Sequence, residues 1–541
     1  MQSLADFLMP VSVMAAPLLL LMAGLVPAGW ANAHAGFMVR LNLLMARLAL
    51  VCALLAASLF PFASVSSWVV YSQTLPGGVG AFSIGTLINS VTIIMLLLVS
   101  FVGVIVSGYA RNYLQGETDR GRFHKYLSLT LASILTLIVS GNLLLFSMAW
   151  IATSLFLHQL LMFYKQRPAA ALAAHKKFVA SRISDVCLLL AIYLIGSTLH
   201  TLEFETLFAV MSEWSGPLPA ALHWAAGLIV ISAALKSAQF PFHGWLIQVM
   251  EAPTPVSALL HAGIVNAGAF LVIRMSPVMA DSPTAMLMLA LIGLVTLALA
   301  SLVMLTQTSI KVSLAWSTSA QMGFMLLECG LGLYSLAMLH LVAHSLYKAH
   351  AFLASGSGVD AYRAPEIHFS PAGLSGWRQA TALSITVLTT LVIGGLFGIT
   401  LDSQPALLAA GAIVAVALSQ LMLQALNIQS ESSFLLRAAA LSLLVCLSYF
   451  SLHHGFELMI AGSVLPLDET QGGFHNIMAM LVIGVFAGLL LMQRTLKSDH
   501  SALREKMYMH LYNGFYIDVY LTRVLQRIWP VPTSTIKYYG D

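Results

Sequence analysis

Charge is what this sequence lacks. Of 541 residues, 25 are Lys or Arg and 21 are Asp or Glu, together 9%, against 59% hydrophobic residues and a mean hydropathy of +0.88. So few polar side chains cannot clothe a soluble domain of this length, which places the chain in a bilayer. Cysteine is also scarce. Cys52, Cys187, Cys329 and Cys446 stand singly within apolar runs, which argues against a disulfide framework or a metal site and reads as packing. Zinc-ligand spacings, phosphate-cradling glycine loops and a nucleophile beside its base are missing too, so no catalytic residue, cofactor or metal is expected in this chain. The first apolar run follows only Met-Gln-Ser-Leu-Ala-Asp, without the basic start and cleavage site of a signal peptide, and is read as retained. The net charge of +4 gives no reason to expect nucleic acid as a partner.

What is abundant is apolar runs long enough to cross about 30 Å of hydrocarbon as helices. Roughly fifteen are expected, over 7–29, 42–63, 85–109, 127–140, 142–164, 180–199, 219–239, 255–276, 283–305, 309–330, 333–355, 378–400, 403–427, 436–455 and 472–492. The fold class is therefore an all-α polytopic membrane protein. Lys and Arg cluster after the odd-numbered helices, as in Arg111, Arg120, Arg122 and Lys125, then Lys165, Arg167, Lys176 and Lys177, then Arg363 and Arg378, then the tail from Arg494. The alternate loops are uncharged (64–84) or acidic only, with Glu203, Glu205 and Glu213 in one and Glu457, Asp468 and Glu469 in another. By the positive-inside rule the amino terminus lies outside and the carboxyl terminus in the cytoplasm. The tail after 493, aromatic and charged up to Pro530 and Pro532, reads either as an element lying on lipid or as a docking element for another subunit.

Ionisable residues inside membrane helices are costly and are functional candidates by default. Lys236 precedes Ser-Ala-Gln-Phe-Pro241; Pro241 cannot donate to the Ser237 carbonyl, so the helix is expected to unwind just after the lysine. A broken helix beside a buried cation is how transporters build ion sites, although a lysine so near a helix end could also reach the surface. His340, His344 and Lys348 recur at i, i+4 and i+8 and stack on one helix face, about 6 Å apart along the axis. Histidine exchanges protons near neutral pH, so this row reads as a proton ladder. His261 is a candidate link between Lys236 and the ladder. Arg182 and Asp185 are spaced for an ion pair, with structural pairing and tuning of the neighbouring lysine both open. Arg274 is expected to snorkel to the outer surface, and Glu328 to face water.

The stretches Lys236-Ser-Ala-Gln-Phe-Pro-Phe-His-Gly-Trp-Leu, Ala252-Pro-Thr-Pro-Val-Ser-Ala-Leu-Leu-His261 and His340-Leu-Val-Ala-His344-Ser-Leu-Tyr-Lys348 closely resemble the NuoL/MrpA-type antiporter-like subunits of complex I and of multisubunit sodium/proton antiporters. The resemblance runs from about Ser107-Gly-Tyr-Ala-Arg-Asn-Tyr to the twelfth helix. It implies two inverted five-helix repeats with broken helices, giving units at 1–125, 126–276, 277–427 and 428–541. It also implies that Lys236 and Lys348 are pumping lysines and that His261, His340 and His344 form the polar chain between them.

Two departures qualify this. Where the complex I pattern has a glutamate after the tryptophan of the fifth helix, this chain has Trp150-Ile151, and His158 is the candidate to take its place; the charge-free 379–401 lacks an exit lysine, Asp402 being nearest. With the missing lateral helix, these features resemble the DabB branch of the family, the membrane subunits of inorganic carbon pumps. That branch implies a DabA-like cytoplasmic zinc subunit, similar to a β-carbonic anhydrase, which hydrates CO2 to bicarbonate at the expense of H⁺ or Na⁺ flow. The alternatives at this point are an antiporter-like subunit of a complex I, hydrogenase or Mrp assembly, and a passive anchor for a soluble enzyme.

Overall fold

The computed structural model describes residues 2–357, 376–398, 405–427, 432–466, 472–497 and 502–530. Arg363, Asp402, Asp468, Glu469 and Pro532 lie outside them. The chain opens with α1 (Gln2–Gly24), α2 (Ala28–Ala33) and α3 (Ala35–Leu59), then a hairpin of β1 (Ser67–Thr74) and β2 (Ala81–Leu87). After it come α4 (Ser90–Tyr113), α5 (Arg120–Val139), α6 (Leu143–Leu161), α7 (Pro168–Leu199), α8 (Phe204–Ser212) and α9 (Ala220–Lys236). Four short helices follow: α10 (Gly244–Gln248), α11 (Thr254–Ala262), α12 (Ala267–Arg274) and α13 (Ser276–Ala280). Three long ones, α14 (Pro283–Met304), α15 (Ile310–Gly330) and α16 (Tyr334–Leu353), lead to α17 (Gly376–Leu396), α18 (Pro405–Asn427), α19 (Ser432–Ile460) and α20 (Gly472–Lys497), and the described chain closes with α21 (Ala502–Tyr512) and α22 (Ile517–Ile528).

Among the described residues, eight helices are long and apolar enough to cross a membrane and four further apolar helical stretches are shorter. The α5, α15 and α16 helices equal the eight in length but carry more polar residues. Among the described residues every expected span overlaps a helix, with three informative differences. The sixth begins at Pro168 rather than near 180. Proline suits a first helical turn, and the alanine-rich run after it extends the helix through Lys176 and Lys177, which are therefore buried helical residues and not part of a loop. The eighth span is two helices, α11 and α12, separated by Gly263 and a 3₁₀ turn at Ile264–Asn266. And the expected loop 64–84 holds the antiparallel hairpin, whose turn uses Gly77, Gly78 and Gly80 at positive φ.

The hairpin closes the end of the bundle where α6 starts. Asn142 caps α6 by accepting from Leu144 and Leu145 N–H, while its amide donates to the Ala81 carbonyl and to Glu203. Glu205 accepts from the Ser66 and Ser67 hydroxyls. Acidic residues thus gather at this end.

Close approach is bought elsewhere by glycine. The α14 and α15 helices touch backbone to backbone, so that a Cβ on Gly293 would lie 2.5 Å from the Gly323 carbonyl oxygen and one on Gly323 2.6 Å from that of Gly293. Small residues at helix crossings serve this purpose in membranes, where packing rather than hydrophobicity drives association.

The C-terminal tail folds onto its own chain. Asp518 of α22 pairs with Lys176 at 2.8 Å and accepts from Gln248 at 2.8 Å, and the Trp529 ring stacks on His175 at 3.9 Å. The tail is thus neither simply laid on lipid nor wholly presented to another subunit, although Val519, Tyr520, Val524 and Ile528 remain exposed. Replacing Gly323 with Leu should force α14 and α15 apart and cost about 1–3 kcal/mol. Thermal unfolding of the purified protein followed by fluorescence-detected gel filtration would show the fall, and an unchanged melting temperature would refute the close crossing.

Candidate ion-relay site

Lys236 is the last residue of α9. The helix stops there because the ladder loses a donor at Pro241: Ser237 N–H still reaches the Ala233 carbonyl, but Ala238 turns to φ 52°. The Ser237 carbonyl, which no residue at 241 can serve, accepts instead from the Gln239 side-chain amide at 2.8 Å. The break follows the lysine as the sequence predicts, with a cis Phe240–Pro241 bond. Lys236 does not reach the surface. It is 3% exposed, its ammonium donates to the Trp150 carbonyl at 3.1 Å, and it lies 4.2 Å from the centre of the Trp150 ring. A cation over an indole in a desolvated setting gains about 2 kcal/mol. Beside the position where a glutamate would stand, the carbonyl oxygen and π face of Trp150 therefore receive the charge.

Around Lys236 the structure gathers Lys177, Arg182 and Asp185 on α7. Arg182 and Asp185 form the expected ion pair, at 2.6 Å, within α7 rather than at its start. Asp185, Arg182 and Lys177 are near enough for their charges to act on one another, and Lys236 interacts with each of them. Ser184 ties α7 to α9 through Ser232 at 3.0 Å. His158, expected to replace the missing glutamate, points to a different neighbourhood: its ring faces His175 at 6.4 Å and Phe178 at 5.4 Å, and the lysine that acts on it is Lys177.

The second cluster is built on α16. Lys348 is fully buried and donates to the Leu314 carbonyl at 3.1 Å and the Ser317 hydroxyl at 2.9 Å. The ladder is real in space: the His340 and His344 rings are 6.2 Å apart, and His344 interacts electrostatically with His340, Lys348 and His261. His261 is fully buried and stacks on Phe352 at 4.2 Å. Among the described residues neither ring nitrogen of His261 or His344 has a protein hydrogen-bond partner. His340 has two, with Nδ1 2.9 Å from Glu328 and Nε2 2.7 Å from Gln321.

The two clusters meet at the two helix breaks. Ser237 donates to the Val265 carbonyl at 2.7 Å, in the turn between α11 and α12, and the Asn266 amide of that turn donates to Ser345 of α16 at 2.8 Å. Ser319 donates to the Ala238 carbonyl at 3.2 Å, so α15 contacts the second lysine through Ser317 and the unwound segment after the first through Ser319. Gly268 permits the contact, since a Cβ there would come within 2.2 Å of the Ser237 hydroxyl.

Two expectations for the outer side are corrected. Arg274 does not snorkel: it is 2% exposed, donates to Asn89 at 3.3 Å, Thr92 at 2.8 Å and the Ile138 carbonyl at 2.9 Å, and thereby spends its donors inside the protein. Glu328 does not face water; it is buried against His340. The signal for the second was in the sequence, because Ser317, Gln321 and Glu328 fall on one face of a helix and form a polar stripe opposite the ladder. The burial of Lys177 had no such signal, since a Lys-Lys pair beside other basic residues reads as a surface cluster.

Comparison with known proteins fits this arrangement. The profile described as "NADH:quinone oxidoreductase/Mrp antiporter, TM" matches residues 140–397, and that described as "NADH-Ubiquinone oxidoreductase (complex I), chain 5 N-terminus" matches 77–124. Over 480 residues, 88% of this chain and 86% of the relative, the sequence is 44% identical to the probable inorganic carbon transporter subunit DabB2 of Halothiobacillus neapolitanus. The chain belongs to this antiporter-like family of membrane subunits. A second relative, the probable inorganic carbon transporter subunit DabB of Hydrogenovibrio crunogenus, is 38% identical over 82% of this chain and 83% of its own length. The chloroplastic NAD(P)H-quinone oxidoreductase subunit 5 of Poa pratensis is 39% identical over 53% of this chain, which spans 41% of that relative. The Mrp complex of a Dietzia species shares the fold, with a TM-score of 0.57, 22% identity, and coverage of 97% of this chain and 57% of that one.

Replacing Arg274 with Leu should lower the melting temperature markedly, because Asn89, Thr92 and the Ile138 carbonyl would lose a buried charged donor at a cost of about 2–5 kcal/mol. An unaltered melting temperature would mean the guanidinium spends its time at the surface after all.

Proposed function

We propose that this chain is the ion-conducting membrane subunit of an inorganic carbon accumulating complex in a bacterial inner membrane, carrying H⁺ inward and coupling that flow to a partner that hydrates CO2 to bicarbonate. The observation that carries the ion-conducting part is the row of buried and half-buried titratable groups from Glu328 and His340 through His344 to His261 and Lys348, joined to Lys236 by the serine and asparagine contacts at the two helix breaks. Buried imidazoles without protein partners are the groups a water-bridged proton path needs. Lysines resting on carbonyl oxygens and a hydroxyl rather than on a carboxylate of their own hold a proton that changes in nearby charge can dislodge. A passive anchor has no use for such costly charges.

The substrate part rests on the relatives named as inorganic carbon transporter subunits, which match almost the whole chain. The partner is then a DabA-like cytoplasmic zinc protein, and the zinc chemistry belongs to it. The charge map supports a periplasmic amino terminus and a cytoplasmic carboxyl terminus, and the reading of 126–276 and 277–427 as repeated units rests on the family resemblance. The competing reading, an antiporter-like subunit of a quinone reductase, hydrogenase or Mrp assembly, is supported by the chloroplastic relatives over about half of the chain.

Purification of the tagged chain in mild detergent, with identification of the proteins that accompany it and zinc analysis of the eluate, separates these. A large soluble zinc protein is expected; quinone-reductase, hydrogenase or small antiporter subunits would replace the carbon reading with the other. In the assembled complex, Lys236→Ala and Lys348→Ala should each abolish inorganic carbon accumulation by cells while leaving assembly intact. Accumulation retained in both variants would remove the relay from the mechanism.

A further inference from the structure

Lys177 has no role in the path described so far, yet it is the most fully committed of the basic residues on α7. Only 2% of it is exposed, and its ammonium donates to the Ser154 carbonyl at 2.8 Å and the Ser154 hydroxyl at 2.7 Å. Among the described residues the acid whose charge acts on it is Asp185, which Arg182 already engages at 2.6 Å; the other charges are Lys236 and Arg182 itself. A buried lysine with two cationic neighbours and no carboxylate of its own is poorly explained as a structural ion pair.

Its place along α6 is informative. Lys236 sits on the carbonyl of Trp150 and Lys177 on that of Ser154, one turn further, and His158 follows one turn beyond. With about 6 Å of rise per step, α6 serves as a rail for the three groups in the way that α16 carries His340, His344 and Lys348. From His158 the order continues outward from the core. The His158 and His175 rings lie 6.4 Å apart and nearly parallel, and the ring of His175 stacks on Trp529, which is 38% exposed.

We propose that Lys177 is a further relay residue of the first cluster, passing protons from Lys236 to His158 and His175 along a branch that emerges beside α22. This rests on the proton-conducting reading above and adds the exit branch to it. In the first step the Lys236 ammonium gives a proton to the neutral Lys177 amine, directly or through one bridging water; one N–H bond breaks and one forms. The Lys177 ammonium then protonates an imidazole nitrogen of His158, and His158 passes a proton to His175, which releases it to the aqueous phase. A fresh proton on Lys236 repels the one on Lys177, which gives the steps their direction. The Lys176–Asp518 pair and the Trp529 stack hold α22 over this mouth.

The test is proton uptake by proteoliposomes holding the complete complex, read by a pH-sensitive dye, for Lys177→Met, Lys177→Arg and Lys236→Ala. The Met variant preserves length and removes the proton site, and a loss of about a hundredfold is expected. The Arg variant keeps the charge and the donors to Ser154 but does not release its proton at working pH, so it should be equally inactive while the complex assembles and melts as the parent does. Parental uptake by the Arg variant would overturn the proposal in favour of a structural cation, and so would parental uptake by the Met variant. If the Met variant fails to assemble, the Arg variant alone decides. Retained uptake in Lys236→Ala would bring down the relay reading itself, whereas its loss combined with an active Lys177→Arg brings down only the exit branch.

Discussion

A cation inside hydrocarbon must be given something to bind other than water, and this chain gives its buried lysines backbone. Lys236 rests on the Trp150 carbonyl, Lys177 on that of Ser154 and Lys348 on that of Leu314. Carbonyls inside helices already accept one hydrogen bond and have a second lone pair to offer. A bond to such an oxygen is weaker than one to a carboxylate, so each ammonium is held without being neutralised. The helix breaks, the serine contacts between them and the glycine-mediated approach of α12 to α9 all serve to bring these lysines within reach of one another's polar neighbours.

The same reasoning explains why Ile151 is tolerable. A glutamate there would neutralise Lys236; without it, the ring and carbonyl of Trp150 accept the charge, and among the described residues Asp185 is the one carboxylate that acts on it. Half of this was legible from the chain alone. The Lys236 break was readable because proline's missing donor has a fixed consequence four residues upstream. The ladder was readable because a helix repeats its faces every three or four residues. Even the Gln321–Glu328 stripe was present as spacing, although the position of Glu328 near a helix end suggested water as its partner.

What could not be read depended on contacts between distant segments. Arg274 finds Asn89, Thr92 and Ile138 in helices more than a hundred residues away, and the snorkelling rule, sound for an isolated helix end, fails once neighbouring helices offer acceptors. Lys176 and Lys177 resemble the basic loop residues before them in composition, and only the packing of α7 against α6 and α22 distinguishes them. The hairpin in 64–84 was hidden for another reason: a two-stranded ribbon leaning on Asn142, Glu203 and Glu205 has little periodic signal of its own.

The pairing of Lys176 with Asp518 spans 342 residues. A chain inserted into the membrane in order of synthesis therefore places α7 early and receives the acid that caps it only near the end of the described sequence. Until then Lys176 lacks its carboxylate partner and the ring of His175 its stacking partner, while Lys177 already has Ser154 of α6. The last described helix is thus a late-made closing stitch, completing through Asp518 and Trp529 the contacts of the Lys176 and His175 side chains.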